Sequence, residues 1–150
     1  MRLLAVALLV VASAGCKTSD PKKVDAYVQA STRTAQLFDG LLKDRCARVA
    51  KSSTWQSAVE DTNAKYQEYV KASNDAVVTY DALMKSDPPG TVLDQQKAAS
   101  DAGKALSEKR DAFQKTCTEK FGKGPELDKA RADMDAALAK YLATLRAVGK

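Results

Sequence analysis

A chain of 150 residues with 24 Lys and Arg, 19 Asp and Glu, seven Gly and four Pro supports one modest domain and argues against a multidomain enzyme. It contains no His, which removes the commonest general base and metal ligand, so catalysis, a resident metal and a cofactor are all unexpected. Its net charge of +5 is mild beside the dense, aromatic-interleaved positive surfaces of nucleic-acid binders, and no nucleic-acid partner is expected.

Residues 1–15 run Met1-Arg2, an almost unbroken apolar stretch from Leu3 to Ala12, then Ser13-Ala14-Gly15 before Cys16. This is the plan of a cleaved secretory signal. The apolar run is shorter than the about 20 residues that a membrane-crossing helix needs. Ala14-Gly15-Cys16 resembles the lipobox of bacterial lipoprotein precursors, although Ser13 stands where that family usually carries Leu. The resemblance covers only the leader. It implies that Cys16 receives diacylglycerol and becomes the new N-terminus, and that residues 16–20 form a short lipidated tether. Membrane lipid is then one partner, held through acylated Cys16. In a double-membraned bacterium Lys17, rather than Asp, after the lipidated Cys implies sorting to the outer membrane, facing the periplasm.

Three Cys in an exported chain leave one odd thiol in an oxidising compartment. Lipidation of Cys16 removes it. Cys46 and Cys117 are then the expected disulfide, with two buried free thiols as the alternative.

Residues 21–150 are expected to form the folded domain, in four apolar-periodic segments with no strand-like alternation. The first opens at Asp20-Pro21, an N-cap followed by Pro at the first helical position, and carries Val24, Val28, Ala35, Phe38, Leu42 and Val49 on one face. After Ser52-Ser53-Thr54 the second carries Trp55, Val59, Thr62, Tyr66, Tyr69, Ser73, Ala76, Tyr80 and Leu83 at alternating steps of four and three. Asp87-Pro88-Pro89-Gly90 ends it. A third runs from Thr91 to Phe121 through Val92, Ala99, Leu106, Phe113 and Cys117. Gly122-Lys123-Gly124-Pro125 then turns into a shorter fourth with Leu127, Met134, Leu138, Tyr141, Leu145 and Val148.

Short loops between long helices predict an all-α, antiparallel up-down bundle of three long helices plus a shorter fourth. Cys46 and Cys117 fall near the ends of the first and third helices, which run parallel. Diagonal positions in a square bundle would be about 14 Å apart for neighbours about 10 Å apart, whereas a disulfide needs Cα atoms within about 7 Å. The bridge therefore predicts a skewed bundle in which the first three helices form a trio and the fourth packs alongside.

The chemistry-bearing residues favour binding over catalysis. Asp61 with Lys65, Asp81 with Lys85 and Asp111 with Lys115 read as solvated i, i+4 pairs, and Glu108 with Asp111 lacks the further ligands a cation needs. No nucleophile elbow, phosphate loop or Cys-x-x-Cys is present. Trp55, Tyr66, Tyr69 and Tyr80 sit at seam spacing and are expected in the core. The end of the bundle away from the tether gathers Arg45, Arg48, Lys51, Lys115, Lys120 and Lys123, a candidate surface for an acidic partner diluted by Asp44, Glu119 and Glu126. Lys22 and Lys23 sit by the tether, suited to anionic headgroups.

The expectation is a lipid-anchored, non-enzymatic cell-envelope bundle acting as a structural or protein-interaction module, with an unidentified envelope protein as partner. A ligand-binding or sensory bundle is the alternative, and tyrosines lining an open pocket between helices would favour it. The terminal Lys150 also resembles that of murein lipoprotein, which is linked to peptidoglycan, but the two Gly/Pro turns fold this chain back toward its tether.

Overall fold

Asp20 starts the first helix: its carboxylate accepts from the Lys22 N–H at 3.0 Å, and Pro21 supplies a pre-set φ at N1. The computed structural model describes residues 18–150, so the leader, Cys16 and Lys17 lie outside the described residues. Five helices follow: α1 (Pro21–Val49), α2 (Trp55–Asp61), α3 (Asn63–Met84), α4 (Gly90–Glu119) and α5 (Pro125–Ala147). Among the described residues there is no strand, and no helix is long and apolar enough to cross a membrane.

The turns form where the sequence places its breakers. Thr54 accepts from the Ser57 N–H at 3.1 Å to start α2. Asp87, at φ 52°, and the two prolines after it stop the α3 segment before α4. At the end of α4, Phe121 and Gly122 turn left-handed at φ 52° and 72°, and the Gly122 N–H reaches back to the Cys117 carbonyl at 2.8 Å. Only Gly fits there, because a Cβ on Gly122 would lie 2.6 Å from the Ala50 backbone nitrogen. The α1–α2 and α4–α5 turns are thus pressed together at one end.

The all-α bundle is as expected, but its count and arrangement differ. The second segment is not one helix: Thr62, at φ −104° and ψ 13°, separates α2 from α3. Its buried hydroxyl donates back toward the Ala58 carbonyl at 2.7 Å and accepts from Arg45 Nε at 2.9 Å. A back-bonding threonine bends a helix in this way. The last helix is not the short one either, since α5 has 23 residues and α3 has 22.

Instead of a trio plus one, the helices form two antiparallel pairs, α1 with α3 and α4 with α5, and among the described helices α1 packs most on both members of the other pair. The α1–α3 seam is a ladder of rings, Tyr27 on Tyr80 at 5.8 Å and Phe38 on Tyr69 at 4.7 Å between centroids. Two apolar clusters fill the interior. Val24, Leu83, Val92, Leu145 and Val148 hold the end near Asp20, and Leu42, Cys46, Phe113, Cys117, Leu127 and Met134 hold the other. Leu138 and Tyr141 touch both.

The Cys46–Cys117 disulfide is formed, with Cα atoms 5.8 Å apart, and closes a 71-residue separation. About two turns along α1 and α4 from it lies a pair the sequence reading did not anticipate. Asp39, 2% exposed, accepts from Arg110 Nε at 2.6 Å, and the same guanidinium donates to the Ala35 carbonyl at 2.9 Å and covers the Phe38 ring at 4.9 Å. Asp39 Oδ2 has no hydrogen-bond partner. Burial raises the Asp39 pKa even against the pull of Arg110, so desolvation is the larger effect at this carboxyl.

Replacing both Cys46 and Cys117 by Ser should lower unfolding free energy by about 4 kcal/mol, the chain-entropy value for a loop of this length, measured by urea denaturation. Asp39→Ala alone should cost about 3 kcal/mol because it strands a guanidinium, whereas the double change Asp39→Leu with Arg110→Met should recover most of that loss. A double-mutant cycle by the same method checks the pair.

Candidate functional site

Because α3 packs on α1 and not along α4, the two helices leave an open cleft of about 560 Å³ between them. Its lining is tyrosine and hydroxyl. Tyr27 and Ser31 come from α1, Ser73, Ala76, Val77 and Tyr80 from α3, Gln96, Ser100, Gly103, Lys104 and Ser107 from α4, and Tyr141 from α5. Every helix except the seven-residue α2 contributes.

Tyr27 is the buried floor, and the side chains of Ser31 and Gln96 hydrogen-bond to its hydroxyl. Tyr80 stands above it, tilted 52° to the Tyr27 ring and 38% exposed. On the opposite side Gly103 lets α4 and α5 approach: a Cβ there would lie 3.2 Å from Tyr141 Cε2. That gap lets the Tyr141 ring cross beneath α4 and reach the cleft. The expectation that Tyr66 and Tyr80 lie in the core is therefore corrected. They are 39% and 38% exposed, because the face of α3 that carries them lacks a second helix. Trp55 and Tyr69 are half-buried.

Six threonine hydroxyls of the bundle are satisfied locally. Thr34, Thr62, Thr79, Thr116, Thr118 and Thr144 all donate to carbonyls three or four residues back along their own helices. The side-chain hydroxyls of Ser73, Ser100, Ser107, Tyr80 and Tyr141 make no hydrogen bond among the described residues. Their groups face the cleft with donor and acceptor capacity unused by the protein.

No family model matches the chain, and no curated protein or solved structure shows significant similarity to it.

The basic end is less open to an acidic partner than its sequence suggests. Arg45 is buried, bonded to Thr62 and set over the Tyr66 ring at 5.7 Å. Arg48 lies 3.5 Å from Asp44 and 3.4 Å from Asp61, and Lys120 is paired with Glu126 at 2.6 Å. Lys115 sits 3.9 Å from Glu119, not on Asp111, and Lys65 turns to Asp44 rather than Asp61. Asp81 and Lys85 do pair, at 2.6 Å. Lys51 and Lys123 are exposed and make no ion pair among the described residues. Beside Lys123 a groove of about 490 Å³ is lined by Val49, Trp55, Thr118 and Phe121. Phe121 is 76% exposed. Glu108 and Asp111 are exposed, and no group of three metal-ligating side chains occurs among the described residues.

The sequence contained one signal for the cleft that the apolar reading passes over. On α4, Gln96, Ser100, Gly103 and Ser107 recur at steps of four, three and four, a polar stripe beside the apolar one. Tyr27 and Tyr141 are separated by most of the chain, and no spacing rule unites them.

Burial raises the pKa of both Tyr27 and Tyr141, so each remains a neutral hydroxyl. Unfolded tyrosine ionises near pH 10. The stabilisation that keeps these groups neutral is therefore full below pH about 10 and is lost as pH rises through the higher folded values. Alkaline titration should show two tyrosines ionising late and together with loss of helical circular dichroism, and Tyr27→Phe with Tyr141→Phe should remove that late step.

Proposed function

We propose that this chain is a lipid-anchored cell-envelope module that works by non-covalent binding, with its ligand seated in the cleft between α3 and α4. The observation that carries the reading is that the hydroxyls of Ser73, Tyr80, Ser100, Ser107 and Tyr141 line one opening without protein partners. A volume of about 560 Å³ is in the range of small-ligand sites. The lining offers no arrangement of nucleophile, base and orienting group, so binding rather than turnover is the proposed activity.

Anchoring rests on the lipobox-like Ala14-Gly15-Cys16. The tether to Asp20 spans at most about 17 Å, which would hold the bundle close to the bilayer with the Asp20 end inward. Lys22 and Lys23 are then nearest the headgroups. The C-terminus would return to that same end, for the Gln95 amide binds the Lys150 carbonyl at 3.0 Å and Gly149 packs on Val24. This supports tethering over a peptidoglycan link through Lys150.

A protein-interaction role at the opposite end is the second reading. It is favoured by Phe121, which presents an exposed ring from a left-handed backbone that costs a non-glycine residue about 1 kcal/mol or more. A partner with an apolar side chain for the Trp55–Phe121 groove and a carboxylate for Lys51 or Lys123 fits it.

Protein purified from membranes should show the intact mass of a diacylglycerol-modified chain starting at Cys16, and Cys16→Ser should remain unmodified and leave the membrane fraction. Titration of the labelled protein with phenol, read by amide NMR, should give saturable shifts confined to the cleft. Shifts clustered around Trp55 and Phe121 instead would move the binding site to the other end.

A further inference from the structure

The cleft's chemistry points to the class of ligand, an inference that rests on the binding role just proposed. We propose that the cleft takes a saccharide, a short run of pyranose rings with one ring stacked on Tyr80 and its hydroxyls bonded by the serines and Gln96. No carboxylate lines the opening, so a cationic ligand has no counter-ion there. Lys104 at the rim is its one charged side chain and lies 3.6 Å from Asp101, which suits a neutral ligand. An acyl chain would leave the serine hydroxyls desolvated and unpaired.

A peptide fits poorly as well. A peptide that binds by strand addition needs the free backbone groups of a sheet edge. The walls here are the middles of α3 and α4, whose backbone groups are bonded within the helices. A helical peptide needs a continuous apolar groove, and the α4 wall is Gln96, Ser100 and Ser107.

A sugar answers both properties of the lining. Each sugar hydroxyl both donates and accepts, matching Ser and Tyr hydroxyls that do the same. Its C–H face lies on an aromatic ring, and the Tyr80 ring is held at a fixed tilt by Tyr27 beneath it while remaining open on its outer side.

The test is amide NMR on the full-length labelled protein in a zwitterionic detergent without a sugar headgroup, titrated separately with tri-N-acetylchitotriose, maltotriose, tetra-alanine and phenol. Saturable shifts at Ser73, Tyr80, Ser100 and Ser107 with either sugar, and no saturation with tetra-alanine, are expected. Tyr80→Ala should weaken that binding at least about tenfold, equal to about 1.4 kcal/mol. Tyr80→Phe, which keeps the ring, should weaken it by less and serves as the control for folding. If phenol saturates the cleft and neither sugar does, the saccharide proposal falls while the cleft remains a binding site. Saturation by tetra-alanine in place of the sugars likewise overturns it in favour of a peptide. If no probe saturates the cleft, both proposals fall.

Discussion

One helix serves both halves of this molecule. Among the described helices the first is the inner wall of one antiparallel pair and the one that packs most on both members of the other, and the Cys46–Cys117 bond pins its far end to the fourth. A regular four-helix bundle shares this duty among all its members and closes every side. Here the third and fourth helices meet the rest of the bundle without packing along one another. The cleft is the geometric remainder of that arrangement, and the disulfide supplies constraint where helix contact is sparse.

Packing and polarity divide the interior accordingly. The two apolar clusters lie toward the ends, and the middle is given to groups that carry charge or hydroxyls: Asp39 with Arg110 on one side, Tyr27 with Ser31 and Gln96 on another. Buried ion pairs seldom add net stability, because desolvation offsets the attraction. The raised Asp39 pKa expresses that cost directly. What such a pair does supply is register, since Arg110 reaches its carboxylate, the Ala35 carbonyl and the Phe38 ring from only one relative placement of the first and fourth helices.

Charge at the end opposite Asp20 shows how composition misleads when partners are remote. Arg45 reads from sequence as a surface cation near a helix terminus, yet Thr62 interrupts the next helix and offers it a buried acceptor. Asp44 draws Lys65 from another helix, and that hydrogen bond lowers the Asp44 pKa. An i, i+4 rule cannot see such a partner. It identifies pairs within a helix, and succeeded for Asp81 with Lys85, where both side chains are exposed.

The sequence by itself determined the helical segments apart from the break at Thr62, the turns between them, and Cys46 with Cys117 as the expected pair. Each of these depends on short-range stereochemistry or on a count: Pro at a helix start, Gly at a left-handed turn, apolar residues at helical steps, an odd number of thiols. The polar stripe of Gln96, Ser100, Gly103 and Ser107 was present there too, but a stripe of small polar residues looks the same whether it faces water or a cleft. Only the tertiary structure decided which helices pair, that Tyr80 stays open while Tyr27 is covered, and that Tyr141 crosses beneath Gly103 to join them. Periodicity states which face of a helix is apolar, whereas the identity of the helix it faces depends on contacts between residues far apart in the chain.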